Sequence, residues 1–137
     1  MKKRSALRKK WIFPTIQNNK PTKYNWIVSH PTNFLLERGT DIGAFTYIQA
    51  QLGVEVREFA QIGSHCSIYS ISTIDGKRGK VVIGRNARIG SHSVIMPGVK
   101  IGANTVVGAM SFVNRNLPAN VIAFGCPVRV IKKLKDA

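Results

Sequence analysis

The sequence predicts an all-β protein, a parallel β-helix of about four to five triangular coils with one protruding loop and a short C-terminal tail. Aliphatic residues recur at six-residue steps, and glycine often follows them. No α-helix has a period of six, whereas a short strand that ends in a sharp corner does. Three such edges close one coil, so the aliphatic side chains stack inside on their equivalents one coil away, at about 4.8 Å. The predicted inward residues are Leu36, Ile42, Ile48, Val56, Ile62, Ile68, Ile83, Ile89, Ile95, Ile101, Val107 and Val113.

The chain divides into three parts around this repeat. A basic segment over residues 1–27 precedes it, the repeat covers 28–118, and a closing segment with a basic tail covers 119–137. The length of 137 residues favours a single domain. Within the repeat, the frame slips by two residues around Leu52 and Gly53.

One loop is predicted to leave the repeat around residues 71–80. The step from Ile68 to Ile83 is 15 residues, three more than two hexads, and these three are expected to bulge outward. Asn86 and Asn104 fall at corners, where asparagine tolerates a positive φ.

The charge balance is strongly basic, with 21 Lys and Arg against 6 Asp and Glu, for a net charge of +15. The basic residues cluster at both ends while the middle is closer to neutral, so the repeat is not expected to bind nucleic acid. No apolar run reaches the roughly 18 residues that span a bilayer. A cytoplasmic location is predicted, and the basic ends leave contact with the phosphates of the inner membrane surface open.

The cysteines and histidines predict no metal site. Cys66 and Cys126 form no CxxC motif and are predicted to be small buried hydrophobes. His30, His65 and His92 lie 35 and 27 residues apart, and the three do not all occupy the same place in a hexad. This spacing argues against three histidines that converge on one zinc ion.

The most specific part of the repeat is the run from Ile83 to Lys132, which contains IGSHSVIMPGVKIGANTVVGAMSF and ends in PANVIAFGCPVRVIKK. This run resembles the hexapeptide-repeat acyltransferases, and most closely their galactoside and maltose O-acetyltransferase subgroup. The resemblance implies a left-handed β-helix, a homotrimer, and acetyl-CoA bound as co-substrate, without a metal, in a crevice between neighbouring subunits.

The resemblance also implies which residues bind acetyl-CoA. Ser91 and Ala109 would follow the pantetheine arm, with His92 lining the crevice. Asn114, Arg115 and Arg129 would lie towards the nucleotide, where a guanidinium pairs with phosphate.

The acceptor side departs from the subgroup, whose catalytic histidine lies in the protruding loop. The matching stretch here, SISTIDGKRG, has no histidine, and Thr73 falls in its place with Asp75 two residues later. A Tyr-x-Asn-x-Asn stretch that holds acceptor hydroxyls in the subgroup matches Tyr47, Gln49 and Gln51. Side-chain amides both donate and accept hydrogen bonds, so Gln49 and Gln51 suit sugar hydroxyls. The predicted acceptor site therefore consists of Tyr47, Gln49, Gln51, Thr73 and Asp75.

His65 is predicted to be the catalytic base. His65 and His92 each take the fourth place of a hexad, at a corner, and counting edges puts them at different corners of the triangle. A hydroxyl acceptor needs a positioned base, whereas an unprotonated amine attacks a thioester without one. The missing loop histidine therefore leaves two alternatives open: His65 as a relocated base, or an amino-sugar acceptor.

These observations predict an acetyl-CoA-dependent acetyltransferase that acts on a sugar or a nucleotide-linked amino sugar in surface polysaccharide biosynthesis. The alternative is a non-catalytic β-helix that serves as a scaffold or binding protein.

Overall fold

The structure, a computed structural model, describes residues 11–135. This part of the chain contains short strands and one 3-10 turn, Pro31–Asn33. It contains no helix long and apolar enough to cross a membrane. The strands are β1 (Ile27–Ser29), β2 (Phe34–Leu36), β3 (Asp41–Ile42), β4 (Tyr47–Gln49), β5 (Val54–Val56), β6 (Gln61–Ile62), β7 (Ser67–Tyr69), β8 (Val81–Ile83), β9 (Arg88–Ile89), β10 (Val94–Ile95), β11 (Lys100–Ile101), β12 (Val106–Val107), β13 (Phe112–Val113), β14 (Val121–Phe124) and β15 (Arg129–Lys133).

The strands form the three sides of a prism. Side A is the sheet β1-β4-β7-β10-β13, side B is β2-β5-β8-β11, and side C is β3-β6-β9-β12-β14-β15. From β1 to β13, successive strands visit sides A, B and C in turn and pair in parallel with the strand one coil away. In the last coil, an isolated bridge from Leu117 to Ile101 takes the place of a strand on side B, and β14 and β15 on side C pair antiparallel. This arrangement confirms the predicted all-β parallel β-helix.

The core lies on the axis of the prism, and all twelve aliphatic residues predicted to point inward are buried. Pairing in register stacks each on its equivalent, as Ile48 on Ile68 and Ile62 on Ile89. Residues 11–26 cover the N-terminal end of this core. Trp26 is buried there, and Trp11 packs against the core and donates its Nε1 proton to the Thr40 carbonyl at 2.7 Å.

Asparagines line the corner between sides B and C. Asn86, Asn104 and Asn120 all have positive φ, at 59°, 63° and 62°, so the prediction for the first two is confirmed. Their side chains form a ladder, in which Asn86 donates to Asn104 and Asn104 donates to Asn120, each at 2.9 Å. The ladder ties three successive coils together.

The protruding loop is larger than predicted. Ile68 lies on side A and Ile83 on side B, so only one corner separates them. The step of 15 residues from Ile68 to Ile83 replaces one step of six and leaves nine extra residues, not the three beyond two hexads that the sequence predicts. The extra residues form a small hairpin, closed by an antiparallel bridge between Ile71 and Arg78, with Ile74 98% exposed at its tip.

The C-terminal closing segment is a hairpin on side C. Cys126 lies in its turn and is exposed, so its predicted burial is wrong, because Val128 is the turn residue that enters the core. Cys66 is buried as predicted, and burial raises the pKa of its thiol. The five residues of β15 are all exposed.

Candidate active site

A column of exposed side chains runs along the corner between sides C and A. This corner column consists of Phe45, His65, His92 and Met110, whose φ angles lie between 57° and 66°. The His65 and His92 rings are stacked, with centroids 4.7 Å apart and planes 3° from parallel. The Phe45 ring lies 5.2 Å from that of His65.

The prediction that the two histidines occupy different corners is wrong. The hairpin adds residues without adding an edge, so β6 and β9 are neighbours and Ile62 pairs with Ile89. His65 and His92 each follow that pair by three residues and therefore meet one coil apart.

Backbone and core hydrogen bonds hold this corner in place. The His65 amide donates to the Ala44 carbonyl and the His92 amide to the Ser64 carbonyl, each at 3.0 Å. The next residue of the hexad is often a small hydroxyl residue that points inward. Thr46 Oγ1 donates to the Gly63 carbonyl at 2.9 Å. The rings consequently stand at the spacing of neighbouring strands.

Beside the column lies a track of small residues, formed by the second and third places of the same hexads. We call it the small-residue track; its members are Gly43, Ala44, Gly63, Ser64, Gly90, Ser91, Gly108 and Ala109. A Cβ added at Gly90 would lie 2.4 Å from the Ala109 nitrogen, so only glycine allows the coils to approach this closely. An open groove of about 290 Å³ adjoins Gly63 and Gly90 on side C and is also lined by Arg88.

The predicted acetyl-CoA residues divide between two places. Ser91, His92 and Ala109 belong to the track and the column. Arg129 pairs with Phe124, whose ring lies against Gly108, so Arg129 stands at the C-terminal end of the track.

Asn114 and Arg115 lie elsewhere. Both are exposed at the corner between sides A and B of the last coil, which the strand β13 separates from the corner column. Within one chain, the structure does not bring them to the other predicted acetyl-CoA residues.

Three of the predicted acceptor residues lie together on side A. Gln49 Nε2 donates to Gln51 Oε1 at 3.2 Å, and Ser70 Oγ donates to Gln49 Oε1 at 2.7 Å. Tyr47 is on the same strand, with its ring centroid 6.1 Å from that of Tyr69. Side A therefore carries a half-exposed polar and aromatic surface.

Thr73 and Asp75 lie in the hairpin, at the end of the side A strands away from the corner column. Asp75 Oδ1 accepts from the Lys77 amide at 3.2 Å, and a hydrogen bond from the Ser72 side chain lowers the pKa of this carboxyl. The carboxylate is thus engaged in its own turn. A single chain does not bring either residue to His65.

Sequence reasoning missed Phe45, Met110 and Tyr69. Phe45 and Met110 occupy the same fourth hexad place as the two histidines, in IGAF and VGAM, so aligning the hexads would have found the column. Tyr69 is recognisable only from the register, which places it opposite Gln49. Among residues 11–135, no three His, Cys, Asp or Glu side chains form a group that could hold a metal ion.

Part of the repeat matches a known protein family and its relatives. A model described as bacterial transferase hexapeptide, six repeats, matches residues 80–115. The chain is 54% identical over 56 residues to galactoside O-acetyltransferase of Escherichia coli K12, which is 41% of this chain and 28% of that enzyme. The chain thus spans less than a third of the length of this curated relative.

Solved structures match over more of the chain. A galactoside acetyltransferase in complex with coenzyme A has a TM-score of 0.77 and 29% identity, over 88% of this chain and 65% of that one. A point mutant of an N-acyltransferase from Bacillus cereus, in complex with dTDP-4-amino-4,6-dideoxyglucose and coenzyme A, has a TM-score of 0.60 and 30% identity, over 82% and 71%. Together with the family model, these matches confirm the resemblance to the hexapeptide-repeat transferases that the sequence predicts.

Proposed function

We propose that this chain is an acetyltransferase that moves the acetyl group of acetyl-CoA to a sugar or a nucleotide-linked amino sugar. The observation that carries the proposal is the stacked pair His65 and His92 beside the small-residue track. A neutral imidazole can accept the proton of an acceptor group, and the track leaves room for a thin ligand beside the pair.

The residues present fit acetyl-CoA as the donor. Coenzyme A is bound in the two matched structures described above, the galactoside acetyltransferase and the N-acyltransferase. In this chain the track offers no side chain larger than serine, which suits the narrow pantetheine arm. Arg88 beside the groove and Arg129 at the end of the track are exposed guanidiniums that suit the phosphates of the nucleotide.

His65 is the base we assign to a hydroxyl acceptor. The acceptor oxygen forms a bond to the thioester carbon, the bond from that carbon to sulfur breaks, and the acceptor proton passes to the imidazole. The thiolate leaves and takes up a proton. An amine acceptor that arrives unprotonated needs no base for its attack, and its proton is lost to solvent or to His65 afterwards.

The site is completed by a neighbouring subunit in this proposal. Gln49 and the hairpin residues Thr73 and Asp75 lie on side A or at its far corner, away from His65 in the same chain. Tyr47 lies at the near end of side A, where its amide donates to the carbonyl of Cys66, the residue after His65. In a homotrimer, a second chain can bring such residues to the corner column of the first. Sedimentation should show a trimer, and a stable monomer with full activity would contradict this part of the proposal.

The test is thiol release from acetyl-CoA in the presence of a panel of sugars and amino sugars. Acceptor-dependent release is expected, and it should fall in His65→Ala but persist in His30→Ala. His30 is a matched control, because it is also exposed at a corner with positive φ, but at a different corner of the first coil. The proposal further places the reaction in the cytoplasm, in surface polysaccharide biosynthesis.

The second candidate is a non-catalytic scaffold, favoured by the absence of histidine from the hairpin. Calorimetry separates the two. Binding of acetyl-CoA supports the enzyme, whereas no binding of acetyl-CoA and no turnover on any acceptor supports the scaffold.

A further inference from the structure

The N-terminal end of the prism exposes an apolar patch. Ile12 is 79% exposed, Phe13 62% and Tyr24 49%. All three line one cleft of about 540 Å³ between residues 11–26 and the first coil, so they form a single surface. We call these three residues the apolar patch.

The patch is held outward by the residues around it. Trp11 and Trp26 turn inward against the core, and the Trp11 ring packs edge-on against Phe13, with centroids 4.6 Å apart. The Asn19 amide donates to the Val28 carbonyl at 2.9 Å and fixes the segment to β1. Phe13 therefore stays on the surface while its neighbours complete the core.

The part of the sequence that contains the patch is rich in positive charge. The first 36 residues contain eight Lys and Arg and no Asp or Glu, and six of these cations lie within the ten residues that immediately precede Trp11. Lys23 lines the same cleft and Lys20 is exposed nearby in the chain. Among the residues that line the cleft, Asp41 is the single acidic one.

We propose that this end of the protein docks on a lipid bilayer that contains anionic headgroups. Binding at a membrane surface strengthens with the apolar area buried in the interface and with the attraction to anionic lipids, and this end has both: apolar side chains that enter the interface and a basic segment drawn to lipid phosphates. A second copy of the chain is a poor occupant, because two such cationic ends repel each other. Nucleic acid would satisfy the charges but leave Ile12 and Phe13 in water.

The inference is independent of the acetyltransferase proposal, because the patch lies outside the corner column and the small-residue track. The proposed membrane contact uses the outer surface of residues 11–26, whereas the proposed acyl transfer takes place at the corner between sides C and A.

Vesicle sedimentation tests the inference with the full chain. Vesicles of phosphatidylcholine alone are compared with vesicles that also contain phosphatidylglycerol, at low and at high salt. The protein should partition onto the anionic vesicles and come off as salt rises. The double variant Ile12→Ser, Phe13→Ser should lower the partition coefficient at least about tenfold, because two apolar side chains no longer enter the interface.

The matched control is Ile74→Ser, which removes an equally exposed aliphatic side chain from the hairpin and should leave the partition coefficient unchanged. Turnover of a soluble acceptor should be the same in the double variant as in the unaltered protein, which separates a failure here from a failure of the acetyltransferase proposal. Equal binding to neutral and anionic vesicles, no binding to either, or binding that the double variant leaves intact would each overturn the inference. The last result would indicate a purely ionic site for some other polyanion.

Discussion

His65 and His92 face each other because both take the fourth place of a hexad on consecutive coils. The left-handed backbone at that place turns the side chain outward, and the parallel register sets its distance from the next. Phe45 and Met110 extend the same column on the neighbouring coils. The two histidines are thus flanked by two apolar side chains. In the proposed function, one end of a ligand can meet a base here while another part contacts an apolar surface.

Replacing His65 with alanine is the first test at this scale. For a hydroxyl acceptor, kcat should fall by about 10² to 10⁴, the usual effect of losing a general base, with little change in the Michaelis constant for acetyl-CoA. For an amine acceptor, the loss should be smaller and should shrink as pH rises towards the pKa of the amine. His92→Ala should act mainly on the affinity for acetyl-CoA. Full activity of His65→Ala on the true acceptor at neutral pH would remove this residue from the mechanism.

The asparagine ladder gives a test of stability. Asn104 accepts from Asn86 and donates to Asn120 at a φ of 63°. Asn104→Ala loses both hydrogen bonds and also the polar side chain that lets asparagine tolerate the left-handed region, for about 3 kcal/mol in all. Asn104→Gly loses only the hydrogen bonds and should be about 1 kcal/mol more stable than the alanine variant. Urea unfolding measures the order, and equal stability of the two variants would contradict the strained corner.

At the scale of the element, the repeat was predictable and the exceptions to it were not. All twelve residues that the six-residue period predicts to point inward are buried, because each edge of a coil repeats the same pleat and corner. The six-residue period shows which residues of an edge point inward, but it does not show how many edges an insertion contains. The prediction therefore counted the hairpin as additional edges and put His92 at the wrong corner. The final hairpin, with exposed Cys126, leaves the repeat and so carries none of its periodicity.

The contact between coils predicts an asymmetry between two glycines. A Cβ at Gly90 would lie 2.4 Å from a backbone nitrogen of the next coil, whereas one at Gly76, in the hairpin, would meet nothing within 4 Å. Gly90→Ala should therefore lower the free energy of unfolding by at least about 3 kcal/mol, because neither backbone can move without breaking the hydrogen bonds between the two coils. Gly76→Ala should cost about 1 kcal/mol, from its φ of 72° alone. Thermal unfolding compares them, and equal melting temperatures would argue against tight packing at the track.

Side B carries an ionic contact whose effect depends on pH. Lys80 hydrogen-bonds to the Glu55 side chain and Arg57 pairs with it too, and together they hold the pKa of that carboxyl below its usual range. A lowered pKa means that the contact stabilises the protein above about pH 4.3, the ordinary value, and that this is lost as pH falls through the folded value. Glu55→Gln should be less stable at pH 7 by at most about 1 kcal/mol, and the difference should vanish in acid. A difference that persists in acid would point to packing instead of charge.

At the scale of the whole molecule, the described basic residues near the two ends of the chain belong to different surfaces. Lys20 and Lys23 lie in the segment that covers the first coil, whereas Arg129, Lys132 and Lys133 lie on β15 beyond the last one. Five strands of side A separate them, which is about 20 Å at the spacing of neighbouring strands. Net charge alone indicates an anionic partner without saying which kind. The fold instead allows a membrane at one end and the phosphates of acetyl-CoA at the other.

The sequence placed the candidate site only in part, for a reason that belongs to this scale. Ser91, His92 and Ala109 were predictable because they share hexads with the core. Thr73, Asp75, Asn114 and Arg115 lie at the corner between sides A and B of the same chain, so only the packing of subunits decides whether they meet His65. A repeat pattern carries no information on that packing.

The central claim is that acetyl-CoA and its acceptor meet at the corner column. The chain has three histidines, so ring proton signals in solution NMR can be followed one by one. Titration with coenzyme A should shift His65 and His92 together, saturating at the concentration at which calorimetry saturates, while His30 stays in place. Saturable binding that leaves both column histidines unchanged would contradict the account.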